Sequence, residues 1–132
     1  MLPHRVSLYQ FPVTTNAWGG GTVTTEYPLS GEVIEVRLPN NGTALTGGGT
    51  ADFTITRVVD GGTILAAANV AAPFNYYPRG AVVTTSAGTT AYQVGGQSVY
   101  DTGAGVPVDG YVQVEIAQGS VSGAATLYMY YR

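Results

Sequence analysis

The sequence contains no cysteine and no lysine. Without cysteine there is no disulfide, no Cys-ligated zinc and no thiol chemistry, which excludes a small secreted domain stapled by disulfides. The basic residues are all arginine: Arg5, Arg37, Arg57, Arg79 and Arg132. Charged residues make up 10% of the 132-residue chain, against roughly 25% in an ordinary soluble protein. The net charge is -3 and the arginines are dispersed. They form no basic stripe, so the electrostatic footprint of a nucleic-acid-binding protein is missing. No apolar run approaches the roughly 20 residues that cross a bilayer as a helix. Met1 to Phe11 is too polar and too interrupted for a signal peptide. A chain this poor in charge has little solubility margin by itself, which points to a component of an assembly.

What is present is 45% hydrophobic residues, 19 glycines and a dense scatter of threonine. That much apolar content predicts a folded chain, and the length predicts one domain. The local signal is period-two alternation. In Glu32 to Leu38, Ile34, Val36 and Leu38 fall on one face, with Glu35 and Arg37 together on the other, so that second face is wet. Phe53 and Ile55 alternate with Thr54 and Thr56; Val112, Val114 and Ile116 with Gln113 and Glu115; Leu127 and Met129 with Tyr128 and Tyr130. β-Branched and aromatic residues at these positions suit a pleated, half-buried surface. Glycine-rich turns separate the segments, and Asp109-Gly110 between valines predicts a hairpin. The alanine run Ile64 to Ala72 ends at Pro73 and lacks charged partners, which favours a strand over a helix. Pro73 to Gly105 reads as long loops with short strands. The expected architecture is all-β: an antiparallel β-sandwich or barrel with long loops and an extended N-terminal arm. The arm covers residues 1–13 and the sandwich residues 14–132.

Candidate chemistry is sparse. Asp101-Thr102-Gly103-Ala104 matches the loop of aspartic proteases, in which two aspartates share a proton across a dimer axis. Only Gly105 to Arg132 follows it, too little for the flap and the later packing motif of those enzymes. A triad needs a base held beside its nucleophile and orienter; His4 is the only imidazole and lies near the N-terminus, which predicts a surface or tail contact instead. Asp52, Asp60, Asp101 and Asp109 lack the dense alternation of a calcium loop. The runs Gly19-Gly20-Gly21 and Gly47-Gly48-Gly49 are followed by no Lys-Ser/Thr and open no helix, so they are turns and not phosphate loops. Asn41-Gly42-Thr43 spells a glycosylation acceptor and, without a secretory signal, reads as a surface turn. The expectation is therefore a protein that is not an enzyme, with no cofactor, no metal, no nucleic-acid partner and no membrane partner.

Tyrosine occurs ten times and tryptophan once. Tyrosine is large, rigid and amphipathic, so it serves protein interfaces and sugar platforms alike. Tyr76-Tyr77-Pro78-Arg79 combines two rings and an arginine, the residue types that dominate binding hot spots. Leu8, Tyr9 and Phe11 in the arm, Trp18 before the triple glycine, and Tyr128 and Tyr130 in the last strand complete the set of interface candidates with Tyr76, Tyr77 and Arg79.

Several segments follow one another with characteristic gaps: Asp52-Phe53-Thr54-Ile55-Thr56, Ile64-Leu65, Asn69-Val70 and Tyr76-Tyr77-Pro78-Arg79. Val106-Pro107-Val108, the run Val112 to Gly119 and the closing Gly123 to Tyr130 come after them. This order resembles a family of small virion structural proteins of tailed bacteriophages, from about Gly31 to the C-terminus and more loosely before it. The chain departs from that pattern in having no lysine and in the stretch Val82 to Tyr100. The resemblance implies a decoration (cement) protein on the capsid exterior, made in the host cytoplasm and seated as a homotrimer at three-fold positions. Its partners would be the major capsid protein and its own copies. The residues leave open a neck or tail location, and a carbohydrate-binding β-sandwich that uses Trp18 or the Tyr76–Tyr77 pair as a stacking platform.

Overall fold

A computed structural model of the chain describes residues 6–78 and 105–132, together with two short paired strands at Gln93–Val94 and Gln97–Ser98. The strands, in chain order, are β1 (Ser7–Thr14), β2 (Gly21–Thr24), β3 (Leu29–Leu38), β4 (Ala51–Arg57), β5 (Thr63–Val70), β6 (Phe74–Tyr76), β7 (Gln93–Val94), β8 (Gln97–Ser98), β9 (Val106–Gly110), β10 (Val112–Ala117) and β11 (Ala124–Tyr131). A 3-10 turn at Asn40–Gly42 and one helical turn, α1 (Thr43–Thr46), follow β3.

Two antiparallel sheets face each other. The first has the order β1-β11-β3, with β6 and β9 both on the far side of β3; the second has the order β2-β10-β4-β5. β6 runs along Val36 to Leu38 of β3 and β9 along Leu29 to Val33. They occupy one edge in line, as a single strand interrupted between residues 76 and 106. Taking them as one, the first strand pairs with the last, the second with the next to last, and so inward to β4 with β5. That is a long hairpin wound around itself, the connectivity of a jelly roll.

The alternation read from the sequence sets the core. Phe11 and Val13 of β1, Phe53 and Ile55 of β4, Val112, Val114 and Ile116 of β10, and Leu127 and Met129 of β11 are all buried between the sheets. Phe74 of β6 meets Phe53 of β4 edge to face, with ring centroids 5.4 Å apart. The alanine-rich segment is strand β5, as expected, and Ile64 and Val70 anchor it to the core.

Three expectations change. In β3 the buried residues are Leu29, Val33, Val36 and Leu38, and Ile34 is not among them. The register opposite β11 shifts between Tyr130 and Tyr131, which face Glu35 and Val33. The extra residue of this bulge moves the strand from one face parity to the other, which simple alternation does not anticipate. Asp109-Gly110 is not a hairpin: β9 pairs with β3 in the first sheet, and β10 lies in the second. Gly110, at φ 128°, turns the chain from one sheet to the other. Finally, the segment expected as an arm is a strand of the sandwich from Ser7 onward. β1 pairs with β11 from Ser7–Tyr131 to Thr14–Ala124, so the boundary at residue 13 falls inside β1. Residues 1–5, with His4, lie outside the described residues.

Candidate protein interface

The outward face of the first sheet gathers what the core excludes. Because Tyr9, Phe11 and Val13 turn inward, Leu8, Gln10 and Pro12 turn outward. Likewise Leu127 and Met129 send Tyr128 and Tyr130 out. The register aligns them in two rows. Leu8 stands opposite Tyr130, and Tyr130 opposite Glu35; Gln10 stands opposite Tyr128, Tyr128 opposite Arg37, and Arg37 opposite Asn75.

An ion pair lies within this aromatic surface. Arg37 Nη2 donates to Glu35 Oε2 at 3.1 Å, and the guanidinium carbon is 5.5 Å from the centroid of the Tyr130 ring. The Glu35 hydrogen bond, and after it the Glu35 charge, raise the Arg37 pKa above its ordinary value. Arg37 is therefore a cation at every accessible pH, held in place by a carboxylate and a ring. Tyr77, directly after β6 and 55% exposed, adjoins this surface.

The nine expected interface residues separate by strand parity. Leu8, Tyr77, Tyr128 and Tyr130 share the outward face. Phe11 is fully buried in the core. Tyr9 is buried against Phe11, and its hydroxyl accepts the Glu26 N–H at 2.8 Å. Tyr76 packs inward against Phe74, with ring centroids 5.0 Å apart. Arg79 lies outside the described residues, as do Asp101 to Ala104. Trp18 sits at one pole of the sandwich, away from the tyrosine face. There Asn16 Oδ1 accepts the N–H groups of Trp18 and Gly20 at 2.8 and 3.1 Å. Gly119 N–H donates to Gly19 O at 2.9 Å and Ser122 N–H to Asn16 O at 3.0 Å. Gly19, at φ 79°, has the Gly119 carbonyl where a Cβ would stand, so only glycine lets these loops meet. The clasp leaves Trp18 86% and Val121 65% exposed.

Glu35 and Arg37 were absent from the expected interface set, although opposite charges two residues apart on one strand already signalled a shared wet face. A third exposed apolar group, Tyr27, Val58, Val59 and Tyr111, lies on the turns at the opposite pole. Sequence alternation gave no sign of it, because turns have no period. Open grooves of about 240 to 400 Å³ lie at several places on the surface of the described residues. Among the described residues no group of three His, Asp or Glu side chains gathers to hold a metal.

Comparison of the chain with protein-family models, with curated proteins and with solved structures finds no match.

Proposed function

We propose that this chain is a structural protein of a bacteriophage virion, a decoration protein that binds the outside of the assembled capsid shell and strengthens it. The observation that carries this reading is the outward face of the first sheet, where Leu8, Tyr77, Tyr128 and Tyr130 surround the Glu35–Arg37 pair. Tyrosine and arginine are the residues on which binding energy concentrates. An arginine already fixed by a carboxylate and a ring loses little freedom when a partner covers it. The jelly-roll connectivity is compatible with this reading, being common in capsid proteins, but it also serves lectins and so does not choose a function.

The mechanism is mass action. A protein that binds the assembled shell and not its loose subunits stabilises the shell by the free energy of its own binding. A copy that bridges two shell subunits gains effective concentration at the second contact, and the gain repeats at every site on the shell. The test is cosedimentation of the purified protein with genome-free heads and, separately, with tails. Saturable binding to heads that Arg37→Ala weakens supports the reading. Binding to tails alone assigns the protein to the tail, and no binding to either removes the virion role.

Trp18 supports a second reading. A tryptophan held outward by a clasped loop is a stacking platform for a sugar ring. Binding to a glycan array that Trp18→Ala abolishes and Arg37→Ala leaves intact would favour that reading over shell decoration.

A further inference from the structure

We infer that the free edge of β1 is an interface of its own, which pairs antiparallel with β1 of a second copy of this chain. Among the described residues β1 closes the first sheet at one side and pairs only with β11. Its register to β11 is unbroken over Ser7–Thr14. The other edges are less suited to pairing. β2 has four residues; β5 carries two register shifts and a left-handed Asn69; the opposite edge of the first sheet is divided between β6 and β9.

The hydrogen-bond parity of β1 follows from one bond and one residue. Thr15 N–H donates to Gly123 O at 2.9 Å, which continues the β1–β11 register by one step. In an antiparallel ladder bonded pairs alternate. Val13, Phe11, Tyr9 and Ser7 therefore direct their backbone groups to β11, while Pro12, Gln10 and Leu8 direct theirs to the free edge. Pro12 obeys the same parity, since its missing N–H costs the β11 ladder nothing on that side. Beside this edge runs an open groove of about 310 Å³, lined by Leu8, Tyr9, Gln10, Pro12, Glu26 and Tyr27.

The occupant follows from charge and register. Natural sheets guard exposed edges with charge, lysine above all. Ser7 to Thr14 carries no charge and the chain has no lysine, so two copies of this edge approach without repulsion from the strand itself. An antiparallel pair centred on Tyr9 sets Leu8 opposite Gln10 of the partner. Both bonds of that pair form, and its symmetry mate repeats them. Pro12 then faces Val6 of the partner, whose N–H meets the Pro12 carbonyl. Val6, Leu8 and Gln10 all find acceptors, and the proline leaves only the Val6 carbonyl without a donor. Pro12 thus costs the pair one bond per copy without forbidding it. The contact is isologous and closes on a two-fold axis. The three-fold assembly that the phage resemblance implies needs a different, heterologous contact.

The test uses the absence of native cysteine. Leu8→Cys and Gln10→Cys variants of the full chain are oxidised separately and as an equal mixture. Paired residues across a ladder lie within disulfide reach, so the mixture is expected to give a cross-linked pair at least tenfold faster than either variant alone. Sedimentation of the wild type is expected to show a concentration-dependent dimer that Gln10→Pro dissociates, with circular dichroism confirming that the variant is folded. Equal cross-linking of the separate variants overturns the register. A wild type that remains monomeric at 100 micromolar, or that sediments as a trimer, overturns the contact.

Discussion

Arg37 lies 5.5 Å above the ring of Tyr130 while hydrogen-bonding Glu35 at 3.1 Å, so one cation joins two strands of the first sheet on its outward face. Replacing it separates binding from folding. Arg37→Ala is expected to leave the urea midpoint almost unchanged, since an exposed pair contributes little to stability. It is expected to weaken binding to heads by about thirtyfold, as the loss of a hot-spot residue does. Urea unfolding and cosedimentation on the same preparation measure the two. An equal loss in both would show that Arg37 serves the fold.

Phe11 makes the opposite case. It is fully buried, and Phe11→Ala removes a large side chain from between the sheets. The expected cost is about 3–5 kcal/mol, read as a lower urea midpoint. A cost under about 1 kcal/mol would mean that β1 is not part of the sandwich.

Thr15 ties the β1 end to the loop before β11. Its hydroxyl accepts the Gly123 N–H at 2.7 Å and donates to the Ser120 carbonyl at 2.5 Å. Thr15→Val keeps the shape and orphans both groups. The expected loss is about 1–3 kcal/mol, with faster amide exchange at Gly123 as the local sign.

Asp60 supplies a pH signature. The Gly62 N–H, and after it Arg57, holds its carboxyl below the ordinary value of 3.8. A lowered folded pKa means that the unfolded chain binds the proton first. Its contribution to stability is therefore complete above the ordinary value and fades as pH falls through the lowered one. Asp60→Asn is expected to flatten that part of the stability curve and leave the slope above pH 6 unchanged. A slope unaltered in acid would remove Asp60 from the acid response.

Trp18 is the only tryptophan and is 86% exposed, so it reports on its own pole. Acrylamide is expected to quench its emission nearly as efficiently as that of free tryptophan in the isolated protein. Quenching unchanged on binding to heads is the result expected if the tyrosine face, at a distance from this pole, makes the contact. Strong protection would place the shell at Trp18 instead.

The strand sequence by itself determined the all-β class, the buried rows Phe53–Ile55, Val112–Val114–Ile116 and Leu127–Met129, and the strand at Thr63–Val70. Each is a local consequence of side chains alternating across a pleat. The wet side of Glu35 and Arg37 was legible for the same reason. Only the tertiary structure decided what stands beside that wet side. Register placed Tyr130 beneath Arg37 and Leu8 beside Tyr130, from segments far apart in the chain. The bulge at Ile34 reversed parity within β3, Gly110 sent β10 to the other sheet, and winding placed β1 at an edge. These depend on pairings between distant strands, and no period within a single strand encodes its neighbour. The lack of lysine and the wealth of tyrosine carried the expectation of a protein partner. Where the chain presents a tyrosine-lined face, and which strand ends the sheet among the described residues, was decided by the pairing of the strands.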